Sequence, residues 1–225
     1  NGFANTILTY DQRGKKYNSN WGNLNGEEFN MTKNFYHKPK IFLNHYWTIS
    51  EKTELATSVY ASIGRGGGTG DLGRINGFNA YSSTLQNADG QIRFDDMNAW
   101  NRGETVADFG ADNATWSGGG GFDGQYVGIN ANPGTGIIRR ASMNEHNWFG
   151  ILSNLTHHIN DNITLIGGLD LRSYRGLHYR RVEDLLGLDA FYDDDDVNMP
   201  DKYITDEGRA DGNEIDYNND GLVRW

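Results

Sequence analysis

Apolar and polar side chains alternate along four stretches of about a dozen residues, and these stretches come in two pairs. In 38–49 (KPKIFLNHYWTI), Ile41, Leu43, Trp47 and Ile49 share one side of an extended chain, with Asn44 and Thr48 opposite. In 54–65 (ELATSVYASIGR), Leu55, Val59, Ala61 and Ile63 share a side, with Ser58 and Ser62 opposite. The second pair is 147–159 (NWFGILSNLTHHI) and 163–175 (ITLIGGLDLRSYR). In the latter, Ile163, Leu165, Gly167, Leu169 and Leu171 form the apolar side, with Asp170 and Arg172 across from them. Period-two alternation predicts half-buried strands, and the polar residues at 50–53 and 160–162 predict a tight turn inside each pair. Shorter strands are expected at about 2–9 and 222–225.

Around these pairs run three Gly-, Asn- and Asp-rich segments, 10–36, 66–144 and 177–221, with little regular pattern. Compact domains rarely tolerate connections beyond ~12–15 residues. Short turns alternating with long loops are the layout of a membrane-spanning β-barrel. Length agrees: twelve residues at ~3.4 Å each reach about 40 Å, or roughly 29 Å along the normal at a 45° tilt. The expected fold is therefore all-β, an antiparallel transmembrane β-barrel segment of about six strands within one domain, 1–225. The three long segments would be extracellular loops, and the two turns would face the periplasm. Odd-numbered apolar positions would meet lipid, and Asp170 and Arg172 the lumen. Tyr46, Trp47, Tyr60, Trp148, Phe149 and Tyr174, near strand ends, would form aromatic girdles. Single-chain barrels need at least about 8 strands. Together with Asn1 at the start and a strand apparently beginning at 222, this marks the chain as a mid-barrel fragment.

Composition supports the same picture. Gly is 30 of 225 residues, Pro 3, aromatics 12%, and mean hydropathy −0.70, too polar for an ordinary packed domain and too aromatic for a disordered chain. There is no cysteine, which removes disulfides, thiolate metal sites and thiol nucleophiles together. The net charge of −10 lies entirely within 177–221, where 14 Asp/Glu face 4 Lys/Arg. Nucleic acid is excluded as a partner, since phosphate binding relies on an excess of Lys and Arg.

Three regions carry a likeness to known proteins: 64–71 (GRGGGTGD), 169–176 (LDLRSYRG) followed by 178–187 (HYRRVEDLLG), and 215–223 (IDYNNDGLV). In them the chain resembles the TonB-dependent receptors of the Bacteroidetes outer membrane. The resemblance implies a plugged barrel of about 22 strands. It also implies import of a scarce nutrient, such as an iron complex, cobalamin or a glycan, with energy relayed through TonB. The implied partners are outer-membrane lipid, TonB through a plug region outside this chain, and a small-molecule or glycan ligand; the implied location is the cell outer membrane. Two other readings share some of these features, a passive porin and a secreted calcium-binding β-sandwich adhesin.

No motif points to catalysis. Gly68-x-Gly70-x-x-Gly73 matches the dinucleotide fingerprint in letters, but 74–79 (RINGFN) is a poor helix, and a glycine loop at the rim is expected instead. No Gly-x-Ser-x-Gly elbow or selected carboxylate pair marks a hydrolase, and the expectation is that the chain is not an enzyme. His157 and His158 are adjacent in a strand, so they point to opposite sides and cannot grip one metal. Asp216-x-Asn218-x-Asp220-Gly221 copies the first half of a calcium loop, although a turn entering a strand explains it as well. No metal ligand is assigned; calcium remains a candidate for the acidic loop, with Asp189, Asp193 to Asp196 and Asp201. Candidate ligand-binding residues are Trp100, Trp116, Phe122 and Tyr126, which offer aromatic platforms in the long loop, with Tyr179 and Arg180 at the edge of the acidic one. The same loop aromatics could equally pin the loop to itself.

Overall fold

A computed structural model of the protein describes residues 6–130, 133–193, 202–205, 207 and 214–215. In chain order the elements are α1 (Ile7–Arg13), β1 (Trp21–Leu24), β2 (Glu27–Asn30), β3 (Asn34–His37), β4 (Lys40–Ser50), β5 (Thr53–Ile75), α2 (Phe94–Asn101), β6 (Val127–Ile129), β7 (Thr135–Asn160), β8 (Ile163–Asp184), β9 (Ala190–Asp193), β10 (Lys202–Ile204) and β11 (Glu214–Ile215). The fold is mostly antiparallel β-sheet. The main sheet runs β11-β8-β7-β5-β3, with β4 also paired to β5; small sheets join β1 to β2 and β10-β9-β6. β6 and β9 pair in parallel. No described helix is long and apolar enough to cross a membrane, which says nothing of strands.

The strands outrun the expected segments. β5 continues to Ile75, β7 begins at Thr135 and β8 ends at Asp184, so parts of the expected loops 66–144 and 177–221 are strand, and the expected loop 10–36 holds the end of α1, β1, β2 and most of β3. Glycine caused the misreading of 66–73. These glycines sit inside a paired strand because neighbouring atoms come too close for a side chain. A Cβ on Gly67 would lie 2.8 Å from the Ser142 carbonyl oxygen, and one on Gly73 would lie 2.2 Å from that of Gly136. The glycine-loop expectation is thereby corrected, and no helix follows the fingerprint. The expected strand at 2–9 is also corrected over its described part, since Ile7–Arg13 is helical. Thr6 caps it by accepting a hydrogen bond from the Thr9 amide at 3.2 Å, and Gly14, at φ 86°, ends it. Residues 1–5 and the strand expected at 222–225 lie outside the described residues.

The chain divides into two compact units, Asn1–Phe35 with Gly67–Met143 and Tyr179–Trp225, and Tyr36–Gly66 with Asn144–His178. The first has a packed interior. Adjacent Ile137 and Ile138 of β7 enter different apolar clusters, as neighbours on a strand must. Ile137 joins Ile75, Leu85, Phe94, Met97, Trp100 and Phe109; Ile138 joins Val182, Leu185, Leu188, Phe191 and Ile204. The segment 76–134 is therefore folded matter, with α2 burying Phe94, Met97, Trp100 and Asn101 along one stripe.

Tyr81 illustrates the burial. Its hydroxyl shares a 2.7 Å hydrogen bond with Thr32, and burial pushes its pKa above the ordinary phenol value. The unfolded phenol ionises near pH ~10, whereas the folded one resists. This contribution to stability is full below ~10 and is lost as pH rises through the raised folded value. Alkaline unfolding of this unit, followed by tyrosinate absorbance, should shift to higher pH in Tyr81→Phe.

The second unit is a single antiparallel layer. β4 and β5 pair with Leu43 opposite Val59, Ile41 opposite Ala61 and Trp47 opposite Leu55, so odd positions share a side. The same parity runs into β7 and β8. On the odd side Thr57 Oγ1 and Ser153 Oγ lie 2.9 Å apart, and Thr53 Oγ1 and His157 Nδ1 2.8 Å apart. On the even side His158 Nδ1 meets Thr164 Oγ1 at 2.9 Å. The two adjacent histidines thus take partners on opposite sides. Both sides of this layer are open: Leu43 is 68% exposed, Leu165 58% and Leu171 55%, while on the even side Tyr46 is 79% exposed.

Candidate functional site

The aromatic candidates of the long loop turn mostly inward. Trp100 is 1% exposed in the core of the first unit, its Nε1–H donating to the Ala111 carbonyl at 3.0 Å. It fills the interior and presents no platform, a correction with a simple cause: helix α2 directs position 100 with Met97 and Phe94. Trp116 and Phe122 are half-buried in a ring cluster with Tyr192 and Tyr203. Phe122 stacks on Tyr203 at 4.5 Å and 14°, and Trp116 Nε1–H donates to Tyr203 Oη and to the Gly119 carbonyl, both at 3.2 Å. That arrangement matches the loop-pinning alternative. Tyr126 packs against the second cluster, and its amide donates to Asp189 Oδ2 at 2.8 Å. Tyr179 and Arg180 are half-buried near the end of β8. The structure therefore brings Trp116 and Phe122 together in one ring cluster and places Trp100 in the core. Among the described residues no three His, Cys, Asp or Glu side chains converge as a metal site. Asp194 to Asp196, Asp201 and the 216–221 motif lie outside the described residues; Asp193 is buried.

A different constellation occupies the even side of the second unit. Phe42 of β4, Tyr60 of β5, Trp148 of β7 and Tyr174 of β8 form a ladder across four strands. Ring centroids are 6.2, 6.3 and 5.9 Å apart in that order, and the last two pairs stand edge to face at 75° and 76°. Tyr174 continues to His146, whose Nδ1 is 2.9 Å from Tyr174 Oη, and His178 follows at 6.1 Å. Gly150 makes room for the second rung, since a Cβ there would fall 2.2 Å from the Tyr60 ring. The ladder borders a groove of about 810 Å³.

Tyr46, Tyr60, Trp148 and Tyr174 therefore lie on the polar side, which corrects their placement in lipid-facing girdles. Nearness to a strand end does not decide direction; parity does, and all four are even. Trp47 and Phe149, at odd positions, keep to the apolar side.

The groove also collects charge. Lys38 and Lys40 line it, two residues apart on one side. Neither makes an ion pair among the described residues, whereas Arg172 is engaged by Asp170, its Nε donating to both carboxylate oxygens at 2.9 and 3.1 Å. Sequence reasoning missed this site because it sought aromatics in the longest loop. The signal lay in even-position aromatics recurring on four neighbouring strands.

Comparison with known proteins adds no assignment: no family model, curated protein or solved structure matches the chain.

Proposed function

We propose that the chain is a wall segment of an outer-membrane β-barrel import receptor of the TonB-dependent kind, which binds and gates a small-molecule or glycan ligand and does not catalyse. One observation carries the proposal. The four-stranded layer is uncovered on both sides, one side being an apolar belt and the other polar, aromatic and charged. Exposed apolar area of this extent is foreign to a water-soluble surface, whereas a barrel wall needs lipid on one side and water on the other. Two features fit. Polar groups on the apolar side bond to one another, as Thr57 with Ser153, which hydrocarbon surroundings require. The turns between paired strands are two residues, 51–52 and 161–162, while at the opposite end β5 and β7 are joined by the long segment 76–134.

The test is fractionation of the full-length protein expressed in a Gram-negative host. It should be recovered in outer membranes, require detergent, and migrate faster on gels unheated than boiled. Protease added to intact cells should cut within 76–134 and spare the two turns. Recovery in the soluble fraction without detergent would overturn the proposal in favour of a secreted adhesin. Ligand uptake that persists without TonB would replace the receptor by a porin.

A further inference from the structure

We infer that the groove on the even side of the second unit is a binding site for an anionic, ring-built ligand, of which an acidic oligosaccharide is the best-fitting kind. The inference rests on the import reading above, because it needs this side of the sheet to face water.

Charge comes first. Lys38 and Lys40 contribute two cations without carboxylate partners among the described residues, while Arg172 is neutralised by Asp170 and Arg65, which donates to the Gly64 and His146 carbonyls, is neutralised by Glu145. A site with this excess attracts anions and repels cationic ligands. Lysine, a compact point charge on a flexible stem, suits carboxylates or sulfates placed at varied angles along a chain.

Ring geometry selects among anions. A flat polycyclic compound wants parallel platforms. Here Trp148 stands edge to face against both Tyr60 and Tyr174, so successive rungs offer a face, then an edge. A chain of puckered sugar rings, with C–H groups for the faces and hydroxyls for the edges, matches that alternation. Hydrogen-bonding groups are at hand in Tyr60, Ser62 and His146, and the volume of about 810 Å³ is within the ~300–1,000 Å³ range of small-molecule sites. The groove opens where β4 begins and lies midway along β5, β7 and β8, beyond the two-residue turns by roughly the length of β4.

The experiment uses the full-length protein in detergent micelles, titrated with tri-galacturonic acid, neutral maltotriose and the planar aryl acid gallate, with tryptophan fluorescence and calorimetry as readouts. Tri-galacturonic acid should bind saturably and at least about tenfold more tightly than maltotriose or gallate. Binding should weaken with added salt, and about tenfold in the double variant Lys38→Gln/Lys40→Gln. Both lysines are exposed, so this variant should keep its heat-dependent gel shift. Trp148→Ala should abolish the fluorescence response and weaken tri-galacturonate. Equal binding of maltotriose, preference for gallate, indifference to the lysines, or absence of saturable binding would each overturn the ligand class. If that happens in protein that still needs detergent and shifts on heating, the import reading survives; protein soluble without detergent sinks the import reading itself.

Discussion

Replacing Asn101 by Leu should unfold the loop-bearing unit locally. Asn101 is fully buried at the end of α2. Its Nδ2 donates to the carbonyls of Ile137 and Leu186, both at 2.9 Å, and its Oδ1 accepts from the Ile137 amide at 3.3 Å. One side chain thus ties a helix end to β7 and to the turn after β8, where Leu186 holds a left-handed φ of 49°. Leu matches the volume approximately but offers no polar atom. Three hydrogen bonds vanish, and buried groups left unsatisfied cost ~1–3 kcal/mol each, so a loss of about 3–5 kcal/mol is expected. Asn101→Asp should be no better, since it sets a carboxylate against two carbonyl oxygens. Because the chain has two units, a single unfolding energy is a poor readout. Hydrogen exchange across 76–134 and 185–193 is the appropriate one, and wild-type protection in Asn101→Leu would refute the clamp.

Leu43→Arg and Asn44→Arg should behave oppositely although they are neighbours. Leu43 lies on the apolar side opposite Val59, and Asn44 on the polar side opposite Ser58. If the apolar side meets lipid, an arginine at 43 costs ~2–4 kcal/mol near mid-membrane, and one at 44 costs close to nothing. Leu43→Arg should then sharply reduce the heat-shifting, membrane-assembled fraction, while Asn44→Arg assembles normally. Both side chains are exposed in the isolated layer, so tolerance of both would mean that water touches both sides. The pair therefore tests lipid contact without any knowledge of ligand.

Where the four long strands of the layer would form was readable from alternation, and so was their orientation: the side shared by Ile41, Leu43, Trp47 and Ile49 is one side in the folded layer. The short strands β1 to β3, β6, β9 and β10 carry too few residues for a period to show. Their ends were not readable. Gly67 and Gly73 look like loop residues until the carbonyls of Ser142 and Gly136 are seen crowding them, and that crowding comes from a strand some seventy residues away. The loop interior was equally hidden. Trp100 belongs to a short helix whose apolar stripe is only two turns long, too little periodicity to stand out among glycines and asparagines. The ring ladder was half visible. Tyr60, Trp148 and Tyr174 stand out in the sequence and Phe42 does not, and neighbourhood across four strands depends on register, which no single segment encodes.

The notch at Gly150 has an evolutionary corollary. Any side chain there would occupy space held by the Tyr60 ring, so the two positions are coupled. A lineage that enlarges residue 150 has either to swing the ring at 60 aside or to shrink it, and in both cases the rung changes. Such reciprocal exchange would reshape the groove while leaving the strands that frame it unaltered, a route by which diverged cousins could acquire new cargo preferences without redesigning their scaffold.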